Sequence, residues 1–393
     1  MDAFFADEEE LAGSSQSMLP KCGVCGLYKK CNTPKMAVSG EGRKRVLIVG
    51  ESPSKTDDEA GVPFAGNSGE HLRDVLHDID VDMDRDAWFT NAIICKSGSV
   101  TPNTDQVNWC RPNLTSTVEK LDPVVVVTLG MSPLQSILHN KWKSEFGIFS
   151  RWVGWRIPFA DHWIFPTYNP SFLLRQENKT LNRMFSNHLK AAFSKRNKPK
   201  DRGDMVKRVQ VVQENAEVEE HLAWFDVQGG WVAVDYETNA LRPDHERSQI
   251  YSCAISNGRR TISYMWNIKT AAMTSRFLKS RNTMKIASNL KMEERWTLKT
   301  LKHPVANWGW DTMLASHVLD NRTWITGLKF QSFVKLGMPT YNQHVDRYLK
   351  SVEGSPYNRI HKADQNAVLV YGGLDALLEY RLAMLQRKEM GYG

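Results

Sequence analysis

The sequence lacks any long apolar run. Its most hydrophobic stretches, such as Val124 to Leu129, are short and β-branched, far below the roughly eighteen residues a membrane-spanning helix needs, and they read as buried strands. A spanning helix is excluded. The basic-then-apolar order of a secretory leader is also missing, since Met1 to Glu10 carries Asp2, Asp7, Glu8, Glu9 and Glu10. The expectation is a reducing cytoplasm without disulfides, with residues 1–20 an acidic, disordered tail. Charge of neither sign dominates: 51 Lys and Arg against 44 Asp and Glu give a formal +7 and a pI near 9.0. That mild basic surplus suits a polyanion and puts nucleic acid first among partners. With 393 residues, 41% hydrophobic and 24% charged, the chain is neither collagen-like nor disordered, and it is long enough for two cores.

Cysteine is scarce but clustered. Five of the six fall in the first 110 residues: Cys22, Cys25, Cys31, Cys95 and Cys110. Cys22 and Cys25 form a C-x-x-C that lets two thiolates grip one centre, and Cys95 and Cys110 follow far downstream with fourteen residues between them. Four thiolates can hold zinc or iron and sulfide. The second tight knuckle of a zinc ribbon is absent, which favours the cluster, against the alternative of unrelated free thiols. Cys31 is a spare or alternative ligand, and Cys253, in an apolar run, reads as core.

In the first half, Arg45 to Gly50, Ala87 to Ile94 and Pro123 to Gly130 read as strands and Gly69 to Ile79 as a helix, so strands and helices alternate. The architecture is α/β with a mostly parallel sheet, in which ligands bind beyond the carboxyl ends of strands. The segments GESPSKTDDEAGVPFAGNSG, TNAIICK, TPNTDQVNWC, LDPVVVVTLG and PTYNPSFLLR resemble, in order and spacing, the iron–sulfur uracil-DNA glycosylases of the family 4 and 5 type. The resemblance runs from Cys22 to about Leu189. It implies that Cys22, Cys25, Cys95 and Cys110 hold a structural [4Fe-4S] cluster. It further implies that Phe64 stacks on a flipped base, Asn91 reads its Watson–Crick edge, Glu51 sits where water attacks the sugar, and the loop from Asn169 to Arg175 presses on DNA. By themselves, Phe64 after Pro63 reads equally as core filling and Asn91 as a turn cap. Two positions depart from the family pattern. Asn169 stands where these enzymes usually have a histidine that stabilises the leaving base, and Ser54 stands where the pattern prefers glycine.

Residues 193–208 are rich in Lys and Arg without apolar period and read as a basic linker. Beyond it, WVAVDYETNAL is a strand ending in Asp235 and Glu237, two apart and therefore on one face, where paired carboxylates repel unless cations sit between them. Downstream, Tyr371-Gly372-Gly373-Leu374-Asp375 opens a helical run with Tyr371 and Asp375 on one face. Alone, either pair is weak; together they supply three carboxylates and a phenol.

The segments VAVDYETN, ASNLKMEERWTL, WDTMLASHVLD and YGGLDALLEYRL resemble the DEDDy-type 3′–5′ exonucleases, in particular the proofreading domain of family A DNA polymerases, over residues 209–393. The resemblance implies an RNase H-like (DnaQ-type) fold behind a parallel-sheet glycosylase-like domain at residues 21–192. It implies that Asp235, Glu237 and Asp375 bind two Mg²⁺ or Mn²⁺ ions, and that Tyr371 orients the water that hydrolyses a 3′-terminal phosphodiester. Glu293 occupies the position of the family's remaining aspartate, one methylene longer, and Asn289 lies near the substrate strand. Asp311 reads as a helix cap. The leading expectation is a DNA replication and repair exonuclease joined to a glycosylase-like DNA-binding module and docking onto a separate family A-like polymerase. An active uracil-DNA glycosylase and a non-catalytic polymerase accessory subunit are the alternatives. The fusion resembles bacteriophage polymerases that carry a glycosylase-like region ahead of the exonuclease.

Overall fold

The computed structural model describes residues 19–98, 102–201 and 203–392. Of the acidic tail expected over residues 1–20, all but the last two positions lie outside the described residues. The chain divides into two compact units between Asp201 and Arg202. No helix among the described residues is long and apolar enough to cross a membrane.

The first unit is built on a five-stranded sheet of β1 (Val46–Gly50), β2 (Ala87–Asn91), β3 (Val125–Leu129), β4 (Ile157–Phe159) and β5 (His162–Thr167), in the order β2-β1-β3-β5-β4. All pairings are parallel except that of β4 with β5. β1 and β3 are buried along their whole length, which explains their unbroken Val, Leu and Ile content. Leu72, Leu76, Phe185 and Leu189, from helices Asn67–His77 and Lys179–Phe193, close one face. The first helix starts and stops two residues before the Gly69 to Ile79 expected, and β2 ends at Asn91 rather than Ile94. Ser54 is the N-cap of helix Lys55–Ala60, in a capping box with Asp57. A hydroxyl at this position satisfies a helix end that glycine would leave open. The start of the basic segment is fastened to this unit: Trp163 Nε1 donates to Asn197 O at 3.0 Å, and Lys198 pairs with Asp122 at 2.6 Å.

The second unit has a six-stranded mixed sheet of β6 (Val209–Val212), β7 (Gly230–Thr238), β8 (Ile250–Ser256), β9 (Thr261–Met265), β10 (Thr283–Ala287) and β11 (Trp308–Asp311), in the order β11-β10-β7-β8-β9-β6. β8 runs antiparallel to β7 and β9; the other pairings are parallel. Helix Gln365–Glu389 lies across this sheet and is buried on most of its circumference, so it shows no amphipathic stripe. It begins at Gln365, six residues before Tyr371 and just after the N-cap Asp364, so the motif sits inside the helix and does not open it. Gly373 permits the close approach: a Cβ there would lie 2.3 Å from Val209 Cγ1. Cys253 is core on β8.

Candidate active sites and metal centres

β7 presents Asp235 and Glu237 on one face, and helix Gln365–Glu389 brings Asp375 over them. One oxygen of each lies within 4.8 Å of the others. A Cβ on Gly372 would stand 3.3 Å from Glu237 Cγ, so the glycine leaves room for the acids. Burial, then the charge of Asp375, pushes the Asp235 carboxyl up to about 8 against the pull of Lys329. Burial and then Asp235 likewise raise Glu237 well above the usual carboxylate range. Glu293 is buried in the first turn of helix Leu290–Leu301, raised by burial and then by Asp235. Asn289 is the left-handed residue in front of that helix, at φ +71°. Asp311 caps two helices. It accepts from Met313 N at 2.9 Å and Leu314 N at 3.1 Å, starting helix Thr312–Leu319, and from Asn289 N and Leu290 N, both at 3.1 Å, starting the helix that carries Glu293.

In the first unit the carboxyl ends of β1, β2 and β5 bring together Glu51, Phe64, Asn91 and Asn169. Gly50 is the hinge of this group: a Cβ there would lie 2.4 Å from Asn91 Oδ1 and 2.8 Å from Phe64 Cζ. Phe64 is held at φ +60°, a conformation that costs a non-glycine residue on the order of 1 kcal/mol. Its carbonyl accepts from Arg73 NH1 at 2.7 Å, and its ring meets Phe89 edge-on at 6.1 Å. Asn169 Nδ2 donates to Glu51 Oε2 at 3.0 Å, and Ser132 Oγ donates to Glu51 Oε1 at 3.2 Å. Burial raises the Glu51 carboxyl, while Ser132, Asn169 and the charge of Arg175 restrain the rise. Arg175 itself is exposed, in the last turn of helix Pro170–Gln176.

Cys22, Cys25, Cys95 and Cys110 line one apolar pocket with Leu27, Tyr28 and Ile93. Lys35 N donates to Cys95 Sγ at 3.2 Å and Asn113 Nδ2 to Cys110 Sγ at 3.4 Å, contacts that favour thiolates. Burial pushes the Cys95 thiol up to about 11 and raises Cys110. Cys31 packs beside this group and donates to Tyr28 O at 3.8 Å.

Residues 38–194 match the family model of the uracil DNA glycosylase superfamily. A type-4 uracil-DNA glycosylase of Saccharolobus solfataricus is 31% identical over 160 residues, 39% of this chain and 73% of that protein. The chain belongs to the uracil-DNA glycosylase superfamily. Residues 209–383 match the model described as 3′-5′ exonuclease, so a glycosylase-family unit is joined to an exonuclease domain. A type-4 uracil-DNA glycosylase of Thermotoga maritima is 28% identical over 189 residues, 47% of this chain and 95% of that protein. Among solved structures, Brucella melitensis NrnC with bound Mg²⁺ is similar at 19% identity and a TM-score of 0.35, covering 47% of this chain and 82% of that one. The catalytic core of RRP6 from Trypanosoma brucei is similar at 14% and a TM-score of 0.37, and the chain spans half of its length.

Three groups around the glycosylase and exonuclease sites were not foreseen from the motifs. In the exonuclease domain, Lys329 Nζ donates to Tyr371 Oη at 2.5 Å and forms an ion pair with Asp375, while Tyr341 donates to the other Asp375 oxygen. Burial opposes the Lys329 charge, but Asp375, Glu237 and Asp235 outweigh it and raise the ammonium above its ordinary value. In the glycosylase unit, Asp58 is 1% exposed, accepts from Asn32 N and Thr33 N at 3.0 and 2.8 Å, and pairs with Lys96 at 3.4 Å. It thereby ties the segment after the C-x-x-C to the neighbour of Cys95, and these bonds hold its carboxyl below the usual range despite burial. Lys329, Tyr341 and Asp58 meet their partners only across long sequence separations, so no local spacing announces them.

Proposed function

We propose that the chain is a metal-dependent 3′–5′ DNA exonuclease of the proofreading type, joined to a glycosylase-fold module that carries an iron–sulfur cluster and holds DNA. The convergence of Asp235, Glu237 and Asp375 beneath Tyr371 carries the reading. The residues fit divalent cations, because Asp235 Oδ2 and Glu293 Oε2 are buried without hydrogen-bond partners and three close carboxylates need positive charge between them. Two Mg²⁺ or Mn²⁺ ions bound there would lower the pKa of a water and neutralise charge on the phosphate. The protein's own groups do the positioning. Tyr371 stays a neutral phenol because burial and Asp375 raise it, and since its oxygen accepts from Lys329, its hydrogen is left to donate to the attacking water. That water's oxygen bonds to phosphorus, the P–O3′ bond breaks, and a nucleoside 5′-monophosphate leaves a strand with a free 3′ hydroxyl. A separate polymerase would be the source of frayed 3′ ends.

For the first unit, the cysteine pocket supports a [4Fe-4S] cluster over zinc. Among the described residues no three cysteine sulfurs lie within 4.8 Å of one another, whereas bonds of about 2.3 Å to one tetrahedral ion draw sulfurs to about 3.8 Å. The packing of Phe64, Asn91 and Glu51 around Gly50, with Asn169 bonded to Glu51, favours a second reading in which this unit also excises uracil.

A 5′-labelled single-stranded oligonucleotide with one internal uracil tests both. Incubated with Mg²⁺, it yields a ladder that disappears in Asp235→Ala; incubated with EDTA and then alkali, a cut at uracil reports excision. No ladder in Mg²⁺ or Mn²⁺ would defeat the exonuclease reading.

A further inference from the structure

Asp375 is held by two donors that reach it from different segments, and only one of them is charged. Its Oδ2 pairs with Lys329 Nζ, and its Oδ1 accepts from the hydroxyl of Tyr341, a residue outside every motif segment of the exonuclease. Tyr341 sits in the connection between helices Leu328–Leu336 and Gln343–Leu349, both of which pack on helix Gln365–Glu389, and it is 3% exposed. Its ring centre lies 5.9 Å from that of Tyr371, and the Lys329 ammonium stands 5.6 Å from the first and 4.5 Å from the second. The hydroxyl hydrogen of Tyr341 is thus directed at a carboxylate, which when ionised can only accept.

A carboxylate turns easily about its last side-chain bond unless its oxygens are fixed separately. Lys329 and Tyr341 each take a lone pair of a different oxygen, so the plane of the group is set while each oxygen keeps a lone pair for a cation. One oxygen of Asp375 then falls within 4.8 Å of one from Asp235 and one from Glu237. The two donors respond differently to a divalent cation: it repels the ammonium of Lys329, whereas a neutral phenol keeps its hydrogen bond beside it. We propose that Tyr341 is a positioning residue that holds Asp375 in its metal-binding orientation, before and after the cation arrives. This rests on the two-metal exonuclease reading above and adds a residue to it. The competing account is a Tyr341 that fills the core and whose hydroxyl only satisfies its own burial.

Tyr341→Phe removes the hydroxyl and keeps the ring. The test is Mn²⁺ binding to the full chain, read from the electron paramagnetic resonance of free Mn²⁺, beside the Mn²⁺ dependence of nucleotide release. In the variant the Mn²⁺ midpoint of both should rise about tenfold to a hundredfold, with KM for the oligonucleotide unchanged and kcat recovering at saturating Mn²⁺. In an Asp375→Ala background the same substitution should leave the binding midpoint where it is, because no carboxylate remains to be held. Metal-free circular dichroism and melting temperature follow the fold of each variant. An unmoved Mn²⁺ midpoint in Tyr341→Phe, with or without a lower metal-free melting temperature, would overturn the proposal in favour of core filling, and so would an equal rise in both backgrounds. Wild type binding no more Mn²⁺ than Asp235→Ala would remove the two-metal reading, and the proposal with it.

Discussion

Lys329 Nζ joins Tyr371 to Asp375, donating to the phenol oxygen at 2.5 Å and pairing with the carboxylate. One ammonium thus sets the direction of the Tyr371 hydrogen and the position of a carboxylate that borders the proposed metals. Lys329→Met keeps the stem and removes the charge. The expected result is a fall in kcat for nucleotide release of about ten- to a hundredfold, with KM for the oligonucleotide nearly unchanged and partial recovery in Lys329→Arg. A rise in KM at constant kcat would assign the lysine to substrate binding instead.

The buried acids make metal uptake depend on pH. A carboxyl whose pKa is raised in the folded protein holds its proton there after the unfolded chain has lost it. Asp235, raised to about 8, therefore contributes stability below its ordinary value of 3.8, and that contribution is lost as pH climbs toward 8. A cation competes with the same proton. Stabilisation by Mn²⁺, read as the rise in melting temperature on adding it, should grow between about pH 6 and about pH 8.5. A rise that is flat across this range would contradict the assignment.

Cys110→Ser removes one of the four pocket thiols. Anaerobically purified wild type should contain iron and acid-labile sulfide with visible absorbance, and the variant should lose them and melt at a lower temperature. Stoichiometric zinc in place of iron would show that the pocket serves a single ion.

Gly50→Ala places a methyl where Asn91 and Phe64 meet, 2.4 and 2.8 Å from their nearest atoms. Both must move. Fluorescence anisotropy should show weaker binding of uracil-containing DNA in the presence of EDTA, with iron content and Mg²⁺-dependent trimming retained. Unchanged binding would mean that this group does not hold a base.

Asp311→Ala uncaps two helices together. At about 1 kcal/mol for each cap, the loss is about 2 kcal/mol, which lowers the melting transition of the second unit by about 5 °C. Because one of these helices carries Glu293, exonuclease activity should fall further than stability does. A melting temperature equal to that of wild type would show that the caps carry little.

Much of the fold was legible because it repeats locally. The all-apolar runs at β1 and β3 are buried from end to end, and the Asp-x-Glu pair lies on one face of β7 as a period of two requires. Boundaries were less legible, because caps set them. Asp364, whose side chain accepts from Ala367 N, starts the long helix six residues before Tyr371, a signal open to a reader searching for N-caps. Ser54, a departure from the glycosylase pattern, has its own purpose as a cap.

The sequence by itself determined which residues share a face: Cys22 with Cys25, Asp235 with Glu237, Tyr371 with Asp375 and Glu379. Backbone geometry fixes those spacings within a turn or a pleat, whatever surrounds them. The tertiary structure alone decided that Lys329 would stand between Tyr371 and Asp375, that Asp58 would tie Thr33 to Lys96, that Asn91 and Phe64 would close over Gly50, and that the oxygens of Asp235, Glu293 and Glu379 would be buried without hydrogen-bond partners. Those meetings join distant segments through sheet order and helix packing, and their energies come from burial and charge, which no local period encodes.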